Sequence, residues 1–328
     1  MKQNFAVIGI DIGGTKVSAA LFEFGGSILK QEIEPVGQKK GKQLIGKIAE
    51  MALSLISIAR DNNYEVNAIG ACVPGIYNPS KKTVWAPNIP EWDQIPLWDE
   101  LTELIEDPSI HLIIESDRSC YILGEVWQGC AKGCSDAIFL AVGTGIGAGI
   151  LSKNVIISGA SGVGGAIGWL GMEPPFSEHY QSCGNFEFYA SGNGLVRSAI
   201  EVMDKPVGKG SSLREITRSQ LTAQDIFKAY ENQDRVAIEV INKAILYWGM
   251  AVANLVSIFN PEKVIFGGGV FGPAIQFFDQ ILEEAKKWAQ PISMQEMSLE
   301  ASNLGGNAGL FGAAYLAIQE ITKTTNGS

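Results

Sequence analysis

The chain has 328 residues, 46% of them hydrophobic and 18% charged, so at about 150 residues per domain it fills roughly two packed domains and is not disordered throughout. Its 25 Lys and Arg stand against 35 Asp and Glu, a net charge of −10 with no long basic run. That balance argues against a partner with a phosphate backbone or an anionic membrane. The most apolar stretch, residues 244–259, contains Asn254 and stops at Asn260-Pro261, which suits a buried helix better than a bilayer span. The opening MKQNFAVIGIDIGGTK has no charged-then-apolar leader with a small-residue cleavage site. The five cysteines (Cys72, Cys120, Cys130, Cys134, Cys183) are an odd number spread through a large apolar chain. Reduced thiols and a cytoplasmic location are expected.

In chain order, residues 5–10 read as a strand, 11–16 as a glycine turn and 17–24 as a second strand, together a hairpin. Residues 44–59 carry apolar side chains at helical spacing, and 67–73 form a short apolar strand closed by Pro74-Gly75. An irregular Pro- and Trp-rich connection covers residues 78–96, then 97–105 read as helix and 110–115 as strand. A second strand–glycine turn–strand unit follows at 136–142, 143–147 and 148–151, and echoes the first. Residues 237–259 form a long apolar helix, 263–266 a strand, Gly267-Gly268-Gly269 a third glycine turn and 308–318 a last helix, with a frayed tail from 322. The echo points to an internally duplicated α/β architecture.

A glycine-rich turn exposes main-chain N–H groups that no side chain shields, and such an array can hold phosphate oxygens; its plain alternative is a tight hairpin. GTGIGAG lies between two strands rather than before a helix, so the dinucleotide reading fails on context, and the Walker spacing is absent. Phosphoryl transfer needs phosphate donors, a carboxylate on the metal side and one base. Asp11, between strand and turn, suits Mg²⁺ held through water. Asp117, just past the 110–115 strand, stands where α/β ligands gather, and could equally be the N-cap of a following helix. Only His111 and His179 occur, so carboxylates are the better candidates for acid–base work. Cys130-x3-Cys134 has no second pair beside it and reads as a surface turn.

With IGIDIGGTKVSAALFE, CVPGIYNP with APNIPEWDQIPL, IIESDRSCYILGE, LAVGTGIGAGI, FEFYASGNGL, VANLVSIFNPEKVIFGGGVF and NAGLFGAAYLA in order along nearly the whole chain, the sequence resembles the ROK sugar kinases, members of the actin-like, sugar kinase and Hsp70 ATPase fold group. The resemblance implies two α/β domains with a hinge and a cleft, residues 1–115 plus about 309–328 forming the first and 116–308 the second. It implies ATP with Mg²⁺ as donor and a hexose or N-acetylhexosamine as acceptor, in a glucokinase-like reaction. Asp11, Gly13, Gly14, Thr15 and Lys16 would meet the phosphate end of ATP. Gly143, Thr144 and Gly145 would form the second phosphate loop, and Gly267, Gly268 and Gly269 would border the adenosine. Asp117 falls on the family's catalytic aspartate, a role that displaces its N-cap reading; Asn88, Ser116, Asp117, Trp169 and Glu187 would line the sugar.

Where the family usually reads N-D, this chain has Ser116-Asp117, and where it reads G-E-x-G-H this chain has Gly165-Ala166-Ile167-Gly168-Trp169. The zinc loop that should follow is reduced to HYQSCGNFE, and His179 with Cys183 cannot close a four-ligand site, so no zinc is expected. Trp169 would either stack on a sugar ring or fill the space left by the histidine and metal loop. A sugar sensor or pseudokinase that binds without transfer is the alternative. The family's repressor branch carries a DNA-binding domain ahead of the kinase-like part, for which the first hairpin leaves no room. Homo-oligomers occur in the family, and no stretch here fixes the state.

Overall fold

The computed structural model describes residues 4–326. In chain order the strands and helices are β1 (Asn4–Ile12), β2 (Lys16–Glu23), β3 (Ile28–Pro35), α1 (Gly41–Asp61), β4 (Tyr64–Val73), β5 (Ile76–Asn78), β6 (Thr83–Trp85), α2 (Leu97–Ile105), β7 (His111–Ser116), α3 (Asp117–Gln128), β8 (Ala137–Val142), β9 (Ile146–Ser152), β10 (Val155–Ile156), α4 (Asn185–Ala190), α5 (Gly192–Met203), α6 (Ala223–Glu231), α7 (Arg235–Phe259), β11 (Lys263–Gly267), α8 (Phe278–Trp288), α9 (Pro291–Glu296), β12 (Ser298–Ala301) and α10 (Ala308–Asn326). Two compact units result. The first holds Met1–Gly133, Ser158–Gly164 and Asn303–Ser328, the second Cys134–Ile157 and Gly165–Ser302. The sequence reading closes the first unit at 115; α3 groups with the first unit because it packs on α10, with Gly124 against the Ala308 carbonyl and Gly312 against that of Cys120. The reading that residues from 322 fray is corrected as far as Asn326, which α10 includes; Gly327 and Ser328 lie outside the described residues.

In the first unit the sheet order is β3-β2-β1-β4-β7, antiparallel through the hairpin and parallel from β1 to β7. Helices cover both faces of its centre, which is why β1 and β4 are nearly continuous apolar runs. On one face α1 buries Leu44, Ile48, Leu55 and Ile56, the 3.6-residue stripe legible in the sequence. On the other, α10 seats Leu310, Ala314 and Ala317 against Val7 and Ala68. Ile28–Pro35 was not foreseen as a strand: its exposed apolar residues give no buried face to read. β5 leads into the irregular connection from 78 to 96 and pairs with β6 inside it as a small hairpin, and Val84 of β6 exchanges main-chain bonds with Ile95.

The second unit repeats the scheme with the order β10-β9-β8-β11-β12. A large cluster of its core includes Leu140, Phe186, Trp248 and Phe266. The longest apolar helix, α7, is long and apolar enough by composition to cross a membrane, yet two-thirds of that window is buried in the unit's core. Asp234 starts it by accepting from the N–H groups of Val236 and Ala237, and Asn260 ends it in the left-handed region (φ 46°) before Pro261.

Gly70 of β4 meets α10 backbone to backbone; a Cβ there would stand 1.8 Å from the Ala313 carbonyl oxygen. Gly46 in α1 has open space at the same position. Gly70→Ala is therefore expected to lower stability by about 2–4 kcal/mol through overpacking against main chain that cannot yield, while Gly46→Ala raises it by about 0.5–1 kcal/mol through helix propensity. Urea unfolding midpoints of the two variants, measured against the parent, check the opposite signs.

Candidate active site

The parallel strands of the first unit bring two carboxylates to their C-terminal ends. The register sets Asp11 of β1 opposite Cys72 of β4, and Cys72 opposite Glu115 of β7, so the three share a row across the sheet. One residue on, the chain turns into α3. Ser116 is the cap: its Oγ accepts from Ser119 N at 3.4 Å and lies 3.2 Å from Ser119 Oγ. The bare-sequence reading of Asp117 as the N-cap is thus corrected. Asp117 is the first helical residue, and its carboxyl is free for other work.

Asp117 is half-buried; its Oδ1 accepts from Arg118 N at 2.8 Å and Tyr121 Oη donates to Oδ2 at 3.4 Å. Burial by its neighbours pushes its pKa up to about 6; the Arg118 charge and N–H and the Tyr121 hydroxyl pull it down, and Asp11 adds repulsion. Burial also raises Asp11, with the Cys72 thiol and the Lys16 charge opposing. Cys72 and Cys120 are fully buried and hydrogen-bonded to each other, and burial holds both thiols protonated. Gly309, in the first turn of α10, leaves the room Asp11 needs: a Cβ there would be 3.0 Å from each carboxyl oxygen.

The first glycine turn opens from the same strand end. Gly13 N bonds to Lys16 O at 2.9 Å, while Gly14 and Thr15 are exposed and their N–H groups have no acceptor among the described residues. Asn88 is exposed and its carbonyl packs beside Gly14, so these two predicted residues meet.

In the second unit Gly143 N closes the turn onto Gly145 O at 2.9 Å, and Thr144 is exposed. The third glycine turn lies beside it. Gly268 is left-handed (φ 89°), and a Cβ on it would be 2.4 Å from the Val142 carbonyl, so only glycine fits. Glu187 of α4 reaches the second turn from below: its Oε2 accepts from Ile146 N at 2.6 Å. Gly145 and Gly168 make space for that carboxylate, their missing Cβ positions lying 2.7 and 3.0 Å from Oε2. Burial raises its pKa; the Ile146 N–H and the Arg197 charge oppose. Trp169 stands largely exposed at the end of a short 3-10 turn.

Sequence reasoning missed Cys72, Tyr121 and Gly309. Cys72 carried a faint signal, one residue before the Val73-Pro74 strand end; Tyr121 is a helical turn past Asp117; Gly309 had none, since its partner is 298 residues away. For Mg²⁺ the Asp11 carboxyl is a fitting oxygen donor, directly or through water, and the turn N–H groups are left for anionic oxygens. For zinc the residues do not fit: His179 stacks on Phe188 with ring centres 6.1 Å apart, and among the described residues no three His, Cys, Asp or Glu gather as metal ligands.

A model of the ROK family matches residues 7–320. The chain is 29% identical to a glucokinase of Halalkalibacterium halodurans, across 98% of this chain and 97% of that one. It is equally 29% identical to a xylose repressor of Caldicellulosiruptor bescii, covering 96% of this chain and 79% of the repressor. The crystal structure of a ROK family glucokinase from Streptomyces griseus, in complex with glucose and AMPPNP, superposes with a TM-score of 0.72 at 29% identity, over 96% of this chain and 99% of that one.

Two measurements follow from the Asp117 environment. Carboxyl ¹³C NMR should show Asp117 titrating near 6, and Tyr121→Phe, which removes a donor to the ionised form, should move it higher. Because the folded pKa lies above the ordinary 3.8, the folded chain binds this proton more tightly than the unfolded one. The group's contribution to stability is therefore full below about pH 4 and lost as pH rises through 6. Asp117→Asn should raise Tm at pH 8, by about 2 °C, and leave it unchanged at pH 4.

Proposed function

A chain matched from residue 7 to residue 320 belongs to the ROK family, and on that premise we propose that it is a sugar kinase, transferring the γ-phosphoryl group of ATP to a hydroxyl of a hexose or N-acetylhexosamine. The observation that carries the reading is Asp117: a carboxylate at the strand ends, with its pKa near 6, freed from capping by Ser116 and aimed by one N–H and one phenol. At pH 7 such a group is about nine-tenths ionised, yet is more basic than an ordinary aspartate, which suits a general base.

In this mechanism Asp117 Oδ takes the proton of the sugar hydroxyl as its oxygen attacks the γ-phosphorus, and Tyr121 and Arg118 N hold the carboxyl in place. Gly14 and Thr15 receive phosphate oxygens on their N–H groups and Lys16 on its ammonium, while Gly13, its N–H closed onto Lys16 O, shapes the turn at the phosphate end. Asp11 sits on the metal side; Mg²⁺, when bound with ATP, would neutralise charge developing on the phosphates. Gly143, Thr144 and Gly145 form the second phosphate loop, and Gly267, Gly268 and Gly269 border the adenosine. Glu187, Trp169 and Asn88 contact the sugar. Ser116 belongs to that wall through its position beside the base, although its hydroxyl is committed to the helix cap. Glucokinase relatives at full length and a relative holding glucose and AMPPNP support this assignment.

A second reading, sugar binding without transfer, is favoured by the equal identity to a xylose repressor. ADP release over a sugar panel with Mg²⁺-ATP separates the two: transfer gives ADP with at least one sugar, whereas binding by calorimetry with no ADP sinks the kinase assignment. Asp117→Asn should cut kcat by at least ~10²-fold, and kcat/KM of the parent should rise with pH through about 6 to a plateau. Glu187→Gln should raise KM for the sugar by about tenfold, through a weakened charge-assisted contact, with KM for ATP unchanged.

A further inference from the structure

The second unit contains a cavity of about 450 Å³ that shares only Trp169 with the residues used above. Trp169, Phe176 and Tyr180 give it aromatic walls, and Glu173, Gln181 and Asn185 give it polar ones. Trp169 and Phe176 are 57% and 70% exposed and line one cavity together, so they are not scattered singly. Tyr180 packs edge-on against Phe176, which keeps the rings in place.

Asn185 is the polar key. It is 95% buried, and its Oδ1 accepts from Met172 N at 2.7 Å and Glu173 N at 3.3 Å. Two main-chain donors fix the sense of the amide, because an NH₂ group cannot face both. Its Nδ2 is then a buried donor with no acceptor among the described residues, a state native interiors avoid unless a ligand completes it. Across the same wall Glu173, whose Oε1 is paired with Lys243 Nζ at 3.4 Å, offers its other oxygen as an acceptor.

A matching occupant must lay an apolar C–H face on aromatic rings and also supply groups that both accept from Asn185 and donate to Glu173. Hydroxyls on a saturated ring do both. A plain hydrocarbon would leave the amide unpaired. The cavity also adjoins the Glu187 environment through one segment: Gly168 packs on the Glu187 carboxylate, and its neighbour Trp169 lines the cavity. We propose that this cavity is a second carbohydrate subsite, which takes the further ring of a disaccharide or glycoside. The inference rests on the kinase reading only in placing the first ring at Glu187.

The test uses the full chain without nucleotide, so that it does not depend on transfer. Calorimetry and saturation-transfer NMR are run with cellobiose, maltose, sucrose and N,N′-diacetylchitobiose, and with glucose and N-acetylglucosamine for comparison. At least one disaccharide should bind, and Phe176→Ala should weaken it about tenfold, the loss of one aromatic face, while monosaccharide affinity and monosaccharide-driven ADP release stay unchanged. Gln181→Ala, at an exposed position that does not threaten folding, should weaken the same disaccharide and no monosaccharide. Binding by none of the four, or binding indifferent to both variants, overturns the subsite. ADP release that fails with every monosaccharide while disaccharide binding persists would count against the kinase reading and leave the subsite standing.

Discussion

The first unit depends on one close contact: helix α10 lies on the sheet and on α3 at main-chain distance. Gly70 faces the Ala313 carbonyl, Gly9 that of Leu310, Gly124 that of Ala308 and Gly312 that of Cys120. Side chains at any of these places would hold the layers apart. With them absent, the last element of the chain comes down onto β1 and β4, and its first turn reaches the Asp11 carboxyl at Gly309. The position of Asp11 is thus set by residues near the other end of the sequence, and the start of α3, with Asp117, is set by the same helix. The two carboxylates stay near each other because both elements are pinned to one rigid partner.

Given that frame, burial alone does not decide what a carboxylate does; its hydrogen bonds do. Glu125 is fully buried and accepts from the N–H groups of Cys130 and Leu304, so it ties loops together. Glu187 spends one oxygen on Ile146 N and keeps the other, a post that both shapes a turn and can meet a ligand. Asp117 accepts one N–H and one long phenol bond, too few to offset its desolvation, and its pKa climbs. These three acids differ in the donors aimed at them as well as in depth, Glu125 being fully buried and the other two half-buried.

Much of this was legible from the letters, and the limits have physical causes. The hairpins around DIGGTK and GTGIG, the stripe of α1 and the apolar length of α7 are local patterns, and each element formed where its period placed it. The two glycine turns were legible as candidates because a bare main chain is itself a sequence signal. What could not be read were relations across the chain. Asp117 and Ser116 compete for one cap, and only the backbone entering α3 shows that Ser116 takes it. The Cys72–Cys120 pair joins residues 48 apart, and the Gly309–Asp11 approach spans nearly the whole length. β3 went unseen for another reason: an edge strand with apolar side chains in solvent has no buried face, so its period carries no energy.

The departures from the family pattern take on a different weight in this light. Ala166 and Trp169 replace polar side chains, yet the geometry around Glu187 does not rest on side chains at those positions. It rests on the Ile146 N–H and on the space that Gly145 and Gly168 leave. The glycine turns at Gly13–Thr15 and Gly143–Gly145 are built of main chain as well. A site assembled from backbone groups tolerates side-chain drift, because the donors are supplied by every residue type and only the absence of Cβ is demanded. Drift is then free to act on the outer wall, where Trp169, Phe176 and Tyr180 offer aromatic surface in a segment without metal-ligand clusters. Geometry set by backbone and walls made of side chains place different demands on the sequence within one unit, and Ala166 and Trp169 fall in the second class.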